Sequence, residues 1–186
     1  MNSGKKIKLA FVLFCSITLV QYAQGQTYTG KAIKVNIFSS TPIEDIKAAS
    51  NGGVAVLIAS KQEITVQVAV KSLEFDKKLM QEHFNENYME SDKYPQAKFK
   101  GIIQPTIDWS KDGEYAVTVK GTLLVHGIEK ARTISGKISI KNKVININST
   151  FNVPCAEHQI KIPSLMFTKI AETIQVKIQG NLTPLN

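Results

Sequence analysis

Arginine is almost missing from this 186-residue sequence: Arg132 is the only one, although lysine and arginine together number 23 against 15 acidic residues and the formal charge is +8. A basic excess spread over lysines, with no arginine cluster, argues against a nucleic-acid surface. Cysteine is nearly as scarce. Of the two, Cys15 lies in an N-terminal apolar run and Cys155 stands alone beyond it, so no disulfide within the processed chain is expected to hold the fold together. Glycine-rich phosphate loops and a serine nucleophile elbow are both absent. No His, Cys and carboxylate set has zinc-ligand spacing, so no metal and no catalytic residue is expected. No Ser/Gly linker, low-complexity tract or internal repeat divides residues 26–186, which read as one domain.

The N-terminus carries Lys5, Lys6 and Lys8, then an apolar stretch from Leu9 through Val20, then Ala23-Gln24-Gly25. Basic, apolar and small-residue segments in that order predict a signal peptide over residues 1–25, cleaved before Gln26. The apolar core is shorter than the roughly 20 residues of a spanning helix, so stable membrane insertion is not expected. Val12-Leu13-Phe14 before Cys15 lacks the small residue of a lipidation site. The processed chain is expected to be exported, to the periplasm in first place and extracellularly as the alternative.

Beyond the leader the dominant signal is alternation. Ile145, Ile147, Ser149, Phe151 and Val153 interleave with Asn146, Asn148, Thr150 and Asn152; Val117, Val119, Gly121, Leu123 and Val125 interleave with polar residues, as do Ile134, Gly136, Ile138 and Ile140. Period 2 with one apolar face predicts half-buried strands. Further strands are expected at 33–39, 52–59, 64–73 and 174–182, with a short extended piece at 159–162. Turns are expected at Asp112-Gly113, at Asn142-Lys143 and around Gly127. About eight antiparallel strands, each with one apolar face, must close or stack to bury it. Tyr115–Val125 would extend ~36 Å at ~3.3 Å per residue, which favours closure. Gly121 and Gly136 on the inward faces suggest that space was left inside.

Two or three short helices interrupt the series. Thr41-Pro42-Ile43-Glu44 has the form of a capping box with proline at the first helical position, and Pro163 could open a turn through Phe167. Asp76 precedes a segment in which Leu79, Met80, His83, Phe84, Asn87 and Tyr88 share one half of a helix. Pro95 ends that connection, and Ala97, Phe99, Gly101 and Ile103 then alternate as a strand.

LMQEHFNENY at 79–88, KYPQAKFKG at 93–101 and GTLLVHG at 121–127, in that order and spacing, resemble the YceI-like family of exported, lipocalin-like barrels. The resemblance runs from about Tyr28 to Asn186. It implies a mainly β fold, a single antiparallel barrel of about eight strands, that binds a polyisoprenoid or other long-chain lipid, tail inside and head near one mouth. Two departures stand out. A helix at Ser39–Ile46 replaces part of the family's longer opening hairpin, and His83-Phe84-Asn85 stands where many members have two aromatics and an aspartate.

On that reading Met80, His83, Phe84, Asn87, Phe99, Ile103, Val117, Val119, Gly121, Leu123, Ile138, Ile147 and Phe151 are the candidate ligand-binding residues. No cofactor is expected beyond a bound isoprenoid or similar lipid, and monomer and homodimer both stay open. His83 and Asn87 would either greet a polar head or tie the helix to neighbouring loops. His126 and His158 read as turn and loop histidines, and Glu82, Glu86, Glu90 and Asp92 as a solvated face. The expected function is non-enzymatic lipid binding, transport or sequestration. The alternatives are an enzyme acting on a lipid or sugar in the same cavity, which would need a convergent acid/base pair, and an interaction module with a filled core.

Overall fold

The computed structural model describes residues 26–41, 43–162 and 171–185; the expected signal peptide and the expected turn from Pro163 to Phe167 lie outside the described residues. Alternating stretches form strands β1 (Thr27–Ser40), β2 (Asp45–Ile58), β3 (Glu63–Ala69), the two-residue β4 (Glu74–Phe75), β5 (Gln96–Gln104), β6 (Gly113–Val125), β7 (Ile128–Lys141), β8 (Val144–Pro154) and β9 (Thr173–Pro184). Their lateral order is β1-β9-β8-β7-β6-β5-β3-β2, and β1 pairs with β2 to close the ring. β4 adds to β2 at Ala48 and Ala49. The result is a closed barrel of eight antiparallel strands, each paired with a neighbour on both sides and each burying one apolar face.

Local chemistry sets the turns. Asn142 and Lys143 have φ of 50° and 64°, and His126 and Gly127 have φ of 51° and 72°; paired left-handed residues make the two-residue turns whose twist matches that of the flanking strands. Asp112 does not make such a turn. The β5–β6 connection is a longer loop, and the Asp112 carboxylate instead accepts the Asn142 backbone N–H at 3.1 and 3.2 Å from its two oxygens.

The opening hairpin is where the sequence reading departs most from the structure. No helix forms at Ser39–Ile46: β1 runs to Ser40, β2 starts at Asp45, and the two pair through Ser40 and Asp45. The Thr41 hydroxyl accepts the N–H groups of Ile43 (3.4 Å) and Glu44 (3.2 Å), and Thr41 N–H donates to Glu44 O at 3.2 Å. These are the bonds a helix cap would make, used here to close a hairpin. The long opening hairpin is thus present. Residues 159–162 form no strand. Among the described residues there is one helical segment, α1 (Lys78–His83) running into a π turn at Phe84–Tyr88, plus three 3₁₀ turns at Ala59–Lys61, Val70–Ser72 and Cys155–His158.

The two ends of the barrel are filled differently. At the base, Tyr28, Ile33, Leu57, Ile103, Ile145 and Leu182 are at most 1% exposed, and Ile107 and Trp109 from the β5–β6 loop pack into the same cluster. Gln62 pins that loop: its side chain donates to Ile107 O at 3.0 Å and accepts Ile107 N–H at 3.1 Å. Towards the other end a smaller cluster of Phe99, Leu123, Ile134 and Val153 gathers, and beyond it the interior opens.

Candidate functional site: an apolar cavity under a short helix

The upper half of the barrel encloses a cavity of about 430 Å³. Its walls come from the inward positions of the strands: Val66 and Val68 of β3, Phe99 of β5, Leu123 and Val125 of β6, Phe151 and Val153 of β8, Val176 and Ile178 of β9. The helical segment lies over the mouth, contributing Leu79, Met80, His83, Phe84, Tyr88 and Met89, while Cys155, Ile160 and Ile162 close one side. A second, smaller void of about 60 Å³ sits deeper, sharing Val66, Phe99, Phe151 and Ile178 with the first.

The cover is light. No residue of α1 or of the π turn is fully buried, and Leu79 is 62% exposed. Phe84 packs on Phe75 with ring centroids 4.8 Å apart, Gln81 accepts the Phe75 N–H at 3.3 Å, and Lys77 meets Glu44 across the mouth at 2.5 Å. Downstream the segment is tied more firmly. Ser91 donates to the Asn85 side chain and backbone oxygens, both at 2.8 Å, and Glu90 reaches His126 Nε2 at 2.9 Å.

The candidate residues divide into three groups. Met80, His83, Phe84, Phe99, Leu123 and Phe151 line the main cavity. Ile103, Val117, Val119, Ile138 and Ile147 lie deeper, around the small void, with Phe99 and Phe151 shared. Asn87 and Gly121 line neither. Asn87 is exposed because the helix widens: Met89 N–H bonds Phe84 O at 2.9 Å, five residues back, so the turn takes more residues than the 3.6 of an α-helix. The stripe therefore passes from Phe84 to Tyr88 and the buried Met89, which a strict α period misses. Gly121 leaves no bore. Its Cβ position lies 2.1 Å from Lys100 O and 2.5 Å from Gly101 Cα, so the paired glycines let β5 and β6 approach closely. Gly136, by contrast, does border the small void.

The polar groups near the cavity are engaged in the fold or placed at its rim. β7 and β8 pair only between Gly136–Lys141 and Val144–Ser149; above that they part, and the turn Cys155–His158 packs beside β7. His158 is fully buried, its Nδ1 donating to Ile128 O at 3.1 Å, and burial holds its pKa below the ordinary value, which keeps the ring neutral. Its Nε2 and the neighbouring Arg132 Nε are buried without a hydrogen-bond partner. His158 O in turn accepts from His126 Nδ1 at 3.0 Å. The Cys155 thiol, buried against the cavity, is pushed up to about 11 by that burial, so it is a protonated wall group and a poor nucleophile. Among the described residues Glu44 is the one carboxylate at the lining, and Glu82, Glu86, Glu90 and Asp92 are exposed outside it. Among the described residues no cluster of His, Cys, Asp or Glu is arranged to hold a metal ion.

A closed antiparallel barrel whose interior is half packed and half hollow, with the hollow end capped by a short helix, is a ligand-enclosing architecture. The YceI-like domain family matches residues 21–182, and the chain belongs to it. Among solved structures the fold is similar to a polyisoprenoid-binding domain from Saccharophagus degradans implicated in plant cell wall breakdown. That pair is 13% identical with a TM-score of 0.72, covering 87% of this chain and 99% of that one. Burkholderia cenocepacia BcnA follows at 15% identity and a TM-score of 0.68, covering 81% and 96%. The Campylobacter jejuni YceI protein gives 14% and 0.54, covering 100% and 94%. No curated protein matched the sequence.

Proposed function

We propose that this protein binds a long-chain, isoprenoid-like lipid in the upper half of the barrel and holds or carries it through an aqueous compartment without acting on it chemically. The observation that carries this reading is the cavity itself: about 430 Å³ of space bounded by apolar strand residues, within the range of ligand-binding sites. About ten buried methylenes at ~0.8 kcal/mol each would supply roughly 8 kcal/mol, enough to offset much of the cost of immobilising a flexible molecule. The relative from Saccharophagus degradans, described as polyisoprenoid-binding, supports the same class. A hydrolytic reading would need an acid/base pair at the cavity, and the lining carries one carboxylate, Glu44, bridged to Lys77.

Native mass spectrometry of the protein purified from its own host, with lipid extraction of the same sample, tests the proposal. A co-purified apolar lipid of defined mass is the expected result. Protein that stays ligand-free when offered prenols and fatty alcohols, or that converts them, would sink it. Export is part of the proposal and rests on residues 1–25; cell fractionation with N-terminal sequencing should find a chain beginning at Gln26 outside the cytoplasm.

A further inference from the structure

Granted that the cavity holds a lipid, we infer that its buried portion is one uncharged chain of about fourteen to sixteen carbons, and that Phe99 and Phe151 set this limit by closing the floor of the cavity. The size follows from the volume. Taking ~30 Å³ for a methylene-sized unit, the share of one water in the liquid, 430 Å³ accommodates about fourteen units. A diacyl lipid with two such chains needs about twice that, and most of a forty-carbon prenyl chain would have to remain outside.

Floor and depth come from the same pair of rings. Phe99, 6% exposed, and Phe151 sit on β5 and β8 and border both the main cavity and the void of about 60 Å³ below it. That void adds room for about two further units. Under it Ile103 and Ile138 are 1% and 3% exposed and belong to the packed base, so a chain cannot continue along the barrel axis; sideways the void borders Gly136 and Ser149, where the β7–β8 pairing ends. The charge requirement follows from the lining. Its described polar members are Ser39, Glu44, Gln67, Lys77, His83, Tyr88 and Lys98, with the Cys155 thiol. Of these Ser39 and Cys155 are buried; the Ser39 hydroxyl accepts the Ala171 N–H at 2.9 Å and the Cys155 thiol is uncharged. Among the described lining residues no buried cation waits for a carboxylate or phosphate, and an unpaired charge inside would be costly. The head must therefore stay at the rim, by Lys77, Glu44 and His83.

Binding of n-alcohols from eight to twenty-four carbons, and of prenols of ten, fifteen, twenty and forty carbons, measured by displacement of an apolar fluorophore, tests the limit. Affinity should rise up to about fourfold per carbon and then level off near fourteen to sixteen. Phe151→Ala removes the ring and joins the two voids, and should move the plateau about four carbons longer. Val68→Phe, which places a ring in the main cavity, should move it about three carbons shorter. The second variant keeps the limit testable if the first does not fold. A plateau unmoved in a folded variant, or affinity still climbing to twenty-four carbons in the parent, would overturn the limit while leaving lipid binding intact. Failure of every chain to bind would take down both the limit and the carrier reading.

Discussion

The base and the mouth of this barrel are built from the same strands with the same alternation, yet one end is solid and the other hollow. Along β8, Ile145 is fully buried in the base and Ile147 is 7% exposed, whereas Phe151 and Val153 one end further on look into the cavity. The difference lies in what the connections supply. At the base, a loop inserts Ile107 and Trp109 and is locked by Gln62. At the mouth, the connection is a helix with no buried residue. Strands make the wall of a barrel; its ends decide whether the inside becomes a core or a binding site.

The largest effects should therefore come from the base. Leu57→Ala, at a site 0% exposed, is expected to cost about 2 to 5 kcal/mol, while Val68→Ala, facing open space, should cost about 1 kcal/mol or less. Urea unfolding of the two variants beside the parent measures the contrast. Equal losses would mean that the two ends are packed alike.

Next comes Gly121→Ala, expected to cost about 1 to 3 kcal/mol by forcing a methyl against the β5 backbone. Differential scanning calorimetry should show a lower melting temperature. An unchanged melting temperature would return Gly121 to the role its sequence position suggested, that of leaving room in the bore.

That reversal shows what could and could not be read from the chain. The β8 ladder was legible because Ile145, Ile147, Phe151 and Val153 alternate with three asparagines and a threonine, and the family motifs at 79–88 and 93–101 made the barrel recognisable. The first half of β2 was hidden. Its inward residues include Ala48 and Ser50, which carry little hydrophobic signal, and inward parity changes from even to odd between Ser50 and Gly53, mirroring the bulge that carries β1 from Tyr28 and Gly30 to Ile33 and Val35. Thr41 misled because one set of side-chain-to-amide bonds serves a helix cap and a tight turn alike. Asn87 for Met89 was a period error caused by the π turn. Which half of the interior is empty could not be read at all, since Phe99 and Phe151 obey the same alternation as Ile103 and Ile147.

Two buried titratable groups near the mouth give smaller, pH-dependent effects of opposite sign. His158 is held below its ordinary value of 6.5, chiefly by burial; its neutral form favours the folded state, so that stability is present above 6.5 and is lost as pH falls through the folded value. Arg132 adds to this shift and Glu157 opposes it. Unfolding midpoints from pH 7.5 to 5 should fall more steeply in the parent than in His158→Asn, and parallel slopes would contradict the assignment. Cys155 behaves in the reverse sense. Raised from 9.0 to about 11, it contributes stability that is complete below 9 and lost as pH rises through 11. Alkylation of the native protein at pH 8 should accordingly be slow and should accelerate on unfolding; immediate labelling would show that the thiol is reached through the cavity.

The smallest effect on stability, and the one most informative about the mouth, is expected from Phe84→Ala. Phe84 is only half-buried, packed at a tilt on Phe75 with ring centroids 4.8 Å apart, above an open cavity. Removing it should therefore cost well under the ~3 to 5 kcal/mol of a phenylalanine in a dense core. Few apolar contacts hold the first turns of this helix, whereas Glu90 and Ser91 anchor its far end, so opening is cheapest at Leu79–Phe84. If ligand passes there, the variant should release a bound fluorescent lipid several-fold faster in stopped-flow displacement, with a melting temperature close to the parent's. Unchanged release together with a clearly lowered melting temperature would make the helix a structural plug, and ligand entry would have to be sought where β7 and β8 part above Gly136 and Ser149.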